Sequence, residues 1–112
     1  LMPSLVDGIH VVNTETIPGF VIQDQLGVVS GSTVRAKNVV RDISQMLKNI
    51  VGGELHQYTN LLIESRNEAF SRMLEDAKAR GANGVVNLRF ATSAVSPGAA
   101  ELFCYGTAVI VE

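Results

Sequence analysis

Tryptophan is absent from this chain, cysteine occurs once, histidine twice and proline three times in 112 residues. A lone thiol, Cys104, excludes an internal disulfide and fits a reducing compartment, so the expected location is the cytoplasm. Two histidines leave little general acid–base capacity. No Cys-x-x-Cys or His-x-x-x-His pair presents two soft ligands at chelating spacing. A Gly-x-Ser-x-Gly elbow is missing, as are a phosphate-binding Gly-x-x-x-x-Gly-Lys-Ser/Thr loop and a dinucleotide fingerprint. The glycine-bearing stretches 27–31, 52–53 and 81–84 therefore read as backbone turns. Nine basic and eleven acidic residues give a net charge of −2, with no Lys/Arg cluster, which argues against nucleic acid as a partner. No apolar run approaches the roughly 18 residues of a membrane span. The N-terminus lacks a basic region followed by an apolar block, so no secretory leader is expected.

What the chain has is apolar surface: 46% of its residues are hydrophobic and only 18% charged. One domain over 1–112 is expected, with 1–8 a flexible leader in which Leu1 before Met2 reads as a leftover of cloning. Ile9–Asn13 is a short strand pattern. Ile17-Pro-Gly-Phe20 reads as a type II turn, and a second strand runs from Phe20 to Ser30 with Asp24 interrupting its apolar face. A first helix is expected over Ala36–Val51, on the stripe Val39, Val40, Ile43, Met46, Leu47, Ile50 and Val51. A second follows over Leu55–Arg80, ended by Gly81 in a left-handed C′ position. At 1.5 Å per residue this helix is about 39 Å long, more than a small domain spans, and is expected to outrun its own core and touch a neighbour. Asn83-Gly84 makes a turn into a third strand, Val85–Val95, with Asn87 and Arg89 on its polar face. Ser96-Pro-Gly98 closes a hairpin onto a fourth strand, Glu101–Val111. That last strand scarcely alternates, so both of its faces should be dry. If helices cover one sheet face, a second copy of the chain is the economical cover for the other.

The charged residues suggest one constellation. Arg66 lies four residues after Leu62 and three before Ala69, within the apolar stripe of the second helix. Asp42 edges the stripe of the first. A guanidinium aimed at a core needs a carboxylate, so Arg66 is expected to pair with Asp42 or Asp24, as a structural salt bridge or as part of a polar pocket at a subunit boundary. Metal binding rests on His10 and Cys104, which sit in different strands. Cys104, between Phe103 and Tyr105, reads chiefly as a small buried hydrophobe.

With these residues in view, the chain resembles the YbjQ-like family of small bacterial and archaeal proteins, to which a heavy-metal-binding role is attached. The resemblance is carried by Thr14-Glu-Thr-Ile-Pro-Gly19, Leu26-Gly-Val-Val-Ser-Gly31, Arg41-Asp42 with Ile50-Val-Gly-Gly53, then Tyr58, Arg66, Glu68 and Ala69, then Gly81-Ala-Asn-Gly-Val-Val86, and finally Tyr105-Gly-Thr-Ala-Val109. Two positions depart from it: Gly84 stands where the family has Ala, and Tyr105 where Ser is common. The resemblance implies a two-layer subunit assembling into a ring, a homopentamer.

The expected fold is thus α+β, a four-stranded mainly antiparallel sheet in ββααββ order with two helices on one face, in a cyclic homo-oligomer. The expected function is a non-catalytic binding module. It would hold a metal, such as a divalent transition metal, or a small polar ligand at subunit boundaries through some of Thr14, Glu15, Asp24, Asp42, Arg66 and Tyr105. A purely structural scaffold is the alternative, and an undetected hydrolase ranks last.

Overall fold

A computed structural model of the chain describes residues 4–35, 54–96 and 99–112. The first helix expected over Ala36–Val51, together with Asp42, and the tip of the expected Ser96-Pro-Gly98 hairpin lie outside the described residues. The elements in chain order are β1 (Leu5–Val6), β2 (Ile9–Val11), β3 (Ile22–Arg35), α1 (Glu54–Ala79), β4 (Gly84–Ser96) and β5 (Ala99–Val111). The fold is α+β, as expected, but the sheet is a five-stranded mixed one in the order β1-β2-β4-β5-β3 rather than four-stranded and mainly antiparallel.

Two local features account for the difference. Leu5–Val6 folds back on β2 through Asp7-Gly8, whose φ values of 52° and 80° are both positive, as a two-residue hairpin loop requires. Strand β2 then pairs in parallel with β4, His10 opposite Gly84 and Val11 opposite Val85. It does not form a hairpin with β3, because residues 12–21 turn beneath the sheet. The Pro18-Gly19 turn closes with the Phe20 N–H donating to the Ile17 carbonyl at 3.1 Å, and Ile17 is buried against Val86, Val109 and Val111.

Strand β5 lies between β3 and β4 and is antiparallel to both. Both its faces are dry over its last third: Ala108 is buried against the helix side and Val109 and Val111 on the other. Over that last third the second face is covered by the chain's own segment around Ile17. Farther along the same face Val28 and Tyr105 are exposed.

Helix α1 lies on the opposite face, burying Ala69, Phe70, Met73, Leu74 and Ala77 against Val29, Val85, Cys104 and Ala108. Its C-terminus is closed by a Schellman pair, the Ala82 N–H to the Ala77 carbonyl at 3.1 Å and the Gly81 N–H to the Lys78 carbonyl at 3.0 Å, with Gly81 at φ 79°. Arg80 and Asp76, ion-paired at 3.3 Å, lash this end to β3 through the Leu26 carbonyl and the Ser30 N–H. In its first half, among the described side chains, Leu62 and Ile63 are exposed and Ser65 is buried.

Candidate functional site

A concavity lies where β2 ends and β4 continues. The chain after β2 runs on beside β4 for a few residues: the Val12 N–H donates to the Val85 carbonyl, the Leu88 N–H to the Val12 carbonyl, and the Asn87 N–H to the Thr14 carbonyl at 3.0 Å. Asn87 stands at φ 56° within a register shift between Val86 and Arg89. Asparagine tolerates this left-handed conformation better than most residues. The extra residue re-aims the side chains after it, a common use of a bulge at the rim of a sheet.

Past Thr14 the chain departs, and β4 keeps only β5 as a neighbour among the described residues. The space beside that edge is a cavity of about 880 Å³. Its apolar wall comes from Phe70 on α1, Leu88 and Phe90 on β4, and Val11, Val12 and Pro18; its polar rim is Ser4, Asn13, Thr14 and Arg89. Arg89 is held in place by two hydrogen bonds from its Nη1, to the carbonyls of Asn13 and Leu88, both 2.8 Å. Its Nε and Nη2 engage no acceptor among the described residues. The ion pairs formed elsewhere, Arg72–Glu68, Lys78–Asp7 and Arg80–Asp76, leave Arg89 without a carboxylate among those residues.

Of the described residues singled out in the sequence, only Thr14 lines this cavity, and its hydroxyl is spent on the Thr16 carbonyl at 2.8 Å. Glu15 is exposed beside it. Tyr105 is the register partner of Arg89, one strand inward; it stacks on Phe103 at 5.7 Å and does not belong to the lining. Asp24 is exposed and accepts the Gln25 N–H at 2.8 Å.

The expected pairing of Arg66 with Asp42 falls outside the described residues, since Asp42 does. Arg66 keeps its place on the helical repeat but is exposed in the single chain, although Ser65 on the same turn is buried. A solvated guanidinium needs no partner, and none of the described carboxylates, Asp24 included, pairs with it.

The two weak metal candidates do not meet. His10 is opposite Gly84 and Cys104 opposite Phe90, on different sides of β4. Six residues of strand, about 20 Å, separate those positions. His10 instead packs its ring on Phe20 at 4.5 Å. Cys104 is fully buried and lies 3.6 Å from the Met73 sulfur; burial pushes its thiol up to about 12. A thiol that holds its proton is a poor metal ligand. Among the described residues no three of His, Cys, Asp and Glu gather as a metal-holding group. Within one subunit, these residues do not fit a heavy-metal centre.

Sequence reasoning missed Arg89 as a site residue, since a polar side chain on the outer face of a strand reads as solvated. The signal lay in Asn87, whose tolerance of positive φ marks a place where the strand can break register.

A family model described as "Putative heavy-metal-binding" matches residues 9–112. A UPF0145 protein of Hahella chejuensis is 60% identical over 102 residues, covering 91% of this chain and 98% of that protein. A UPF0145 protein of Thermococcus kodakarensis is 52% identical, covering 96% of this chain and 95% of its own length. Among solved structures, a DUF74-family protein of unknown function from Pediococcus pentosaceus superposes with a TM-score of 0.60 at 16% identity, over 94% of this chain and 99% of that one. That likeness shows a shared fold. With the family model covering nearly its whole length and relatives above half identity along it, the chain belongs to the YbjQ family of UPF0145 proteins.

Proposed function

We propose that this protein is a non-catalytic binding module that works as a homo-oligomer, with its ligand site at the open edge of β4. The observation that carries the self-association is the uneven cover of the sheet. On the face turned from α1, Ile17 shields Val86, Val109 and Val111, while Ile22 stands 39% and Val28 65% exposed. Both belong to the same side of β3, since their register partners Val111 and Thr107 alternate with Val109 along β5. Phe20, Val21 and Tyr105 add to the exposed apolar surface, as do Leu62 and Ile63 at the free half of the helix. Apolar surface concentrated in this way is what association buries. The family resemblance supports a closed ring of five.

A non-catalytic role is supported by the state of the reactive groups. The thiol of Cys104 is sealed in the core, and the ring of His10 is engaged with Phe20. The cavity rim offers an arginine, an asparagine and hydroxyls, which bind and orient but do not readily exchange protons near neutrality.

Light scattering on tag-free protein at low-micromolar concentration tests the assembly. The expected particle is a pentamer of 12.0 kDa subunits, and Val28→Lys with Ile22→Lys dissociates it. A well-folded particle of one subunit mass at that concentration overturns the reading.

A further inference from the structure

We infer that the cavity beside β4 takes an anionic amphiphile, a free aliphatic carboxylate, with its head on Arg89 and its chain against Phe70, Leu88 and Phe90. The inference deepens the binding-module reading and rests on it.

The volume, about 880 Å³, is within the range of small-molecule sites, roughly 300–1,000 Å³, which are apolar with a few placed polar groups. Three features narrow the ligand. First, the walls are aliphatic and aromatic, drawn from α1, β4 and the segment after β2, so the larger part of the ligand is a hydrocarbon. Second, among the described residues the only charged side chain in the lining is Arg89. A cation would find no counter-charge in that lining, and a metal ion no thiolate, imidazole or carboxylate. Third, the guanidinium is fixed before any ligand arrives, because Nη1 is held by the carbonyls of Asn13 and Leu88. The remaining N–H groups, on Nε and Nη2, form the side of the fork that matches a carboxylate with two parallel hydrogen bonds. Holding the fork in place lowers the ordering cost of binding.

A single arginine favours a singly charged head over a phosphate. Phosphate sites gather several donors, commonly from a helix N-terminus or a glycine-rich loop, and the described lining holds neither. The local fold explains why the cation stands here. The Asn87 bulge shifts the register by which Arg89 reaches the Asn13 carbonyl, and the same bulge leaves Leu88 and Phe90 beside the unpaired edge.

Calorimetric titration of the full chain with sodium decanoate and with decanol, each below its aggregation limit, tests the inference. The expected result is saturable decanoate binding, one per subunit, at least tenfold tighter than decanol. Arg89→Gln is expected to lower decanoate affinity about tenfold, the worth of about 1.4 kcal/mol, and to leave decanol unchanged; Arg89→Lys is expected to recover part of the loss. Equal binding of the two probes by the unmodified protein overturns the anion assignment and leaves the cavity a ligand site. Binding of neither overturns the cavity as a ligand site altogether, while subunit assembly is read separately by light scattering. If Arg89→Gln fails to fold, the two probes on the unmodified protein decide the matter alone.

Discussion

Gly31 sits directly under the backbone of α1: a Cβ built on it would stand 2.3 Å from the amide nitrogen of Met73 and from the carbonyl oxygen of Ala69. The helix rides on β3 at backbone distance here, and no side-chain rotation can relieve a clash with backbone atoms. Gly31→Ala must therefore lift the helix off the sheet or bend the strand. Overpacking of this kind costs about 1–3 kcal/mol, sometimes more, and the upper part of that range is expected. Urea unfolding monitored by circular dichroism measures it. An unchanged midpoint would show that the helix slides without loss.

Asn83 serves as a strand neighbour made from a side chain. Its Nδ2 donates to the Val111 carbonyl at 2.9 Å and its Oδ1 accepts the Val111 N–H at 2.7 Å, while its own N–H reaches the Val109 carbonyl. Asn83→Ala leaves both polar groups of Val111 without a protein partner. A loss of about 2 kcal/mol is expected, with faster amide hydrogen exchange confined to the end of β5. Uniformly faster exchange along the chain would instead mean that the turn, not the side-chain bridge, had failed.

Cys104 makes stability depend on alkaline pH. Burial raises its thiol from 9.0 to about 12, so the folded protein retains a proton that the unfolded chain releases. The contribution is fully present below about pH 9 and falls as pH rises toward about 12, at about 1.4 kcal/mol per pH unit. Denaturant midpoints between about pH 8 and pH 10.5 should show this slope, and Cys104→Ala should remove it. The native thiol should also resist aromatic disulfide reagents until the chain unfolds.

Local chemistry made much of this fold legible. The 26-residue helix, its Gly81 stop, the Pro18-Gly19 turn and the last two strands all arise from patterns a few residues long. Asp7-Gly8 between apolar neighbours carried a hairpin signal of the same kind, hidden by the expectation of a flexible leader. The parallel pairing of His10 with Gly84 was not legible, because nothing near either residue specifies a partner most of the chain away. Arg66 shows the limit from the other side. Periodicity places it beside the buried Ser65 and Ala69, yet it is exposed in the single chain, and a three-and-four repeat does not fix which side of the stripe is covered. The cavity eluded sequence reading because Thr14, Phe70 and Arg89 meet only where β2 stops short and β4 does not.

The long-range pairing of β2 bears on how the protein is made. Ile9–Val11 leaves the ribosome early, but the strand that receives it, β4, emerges only after the whole of α1. Until then β2 has only β1 to pair with. β5 emerges later still, so the two ladders that flank β4, with β2 and with β5, both form late in synthesis. The lining of the Arg89 hollow runs from Ser4 to Phe90, so the hollow is complete only once most of the chain has been made.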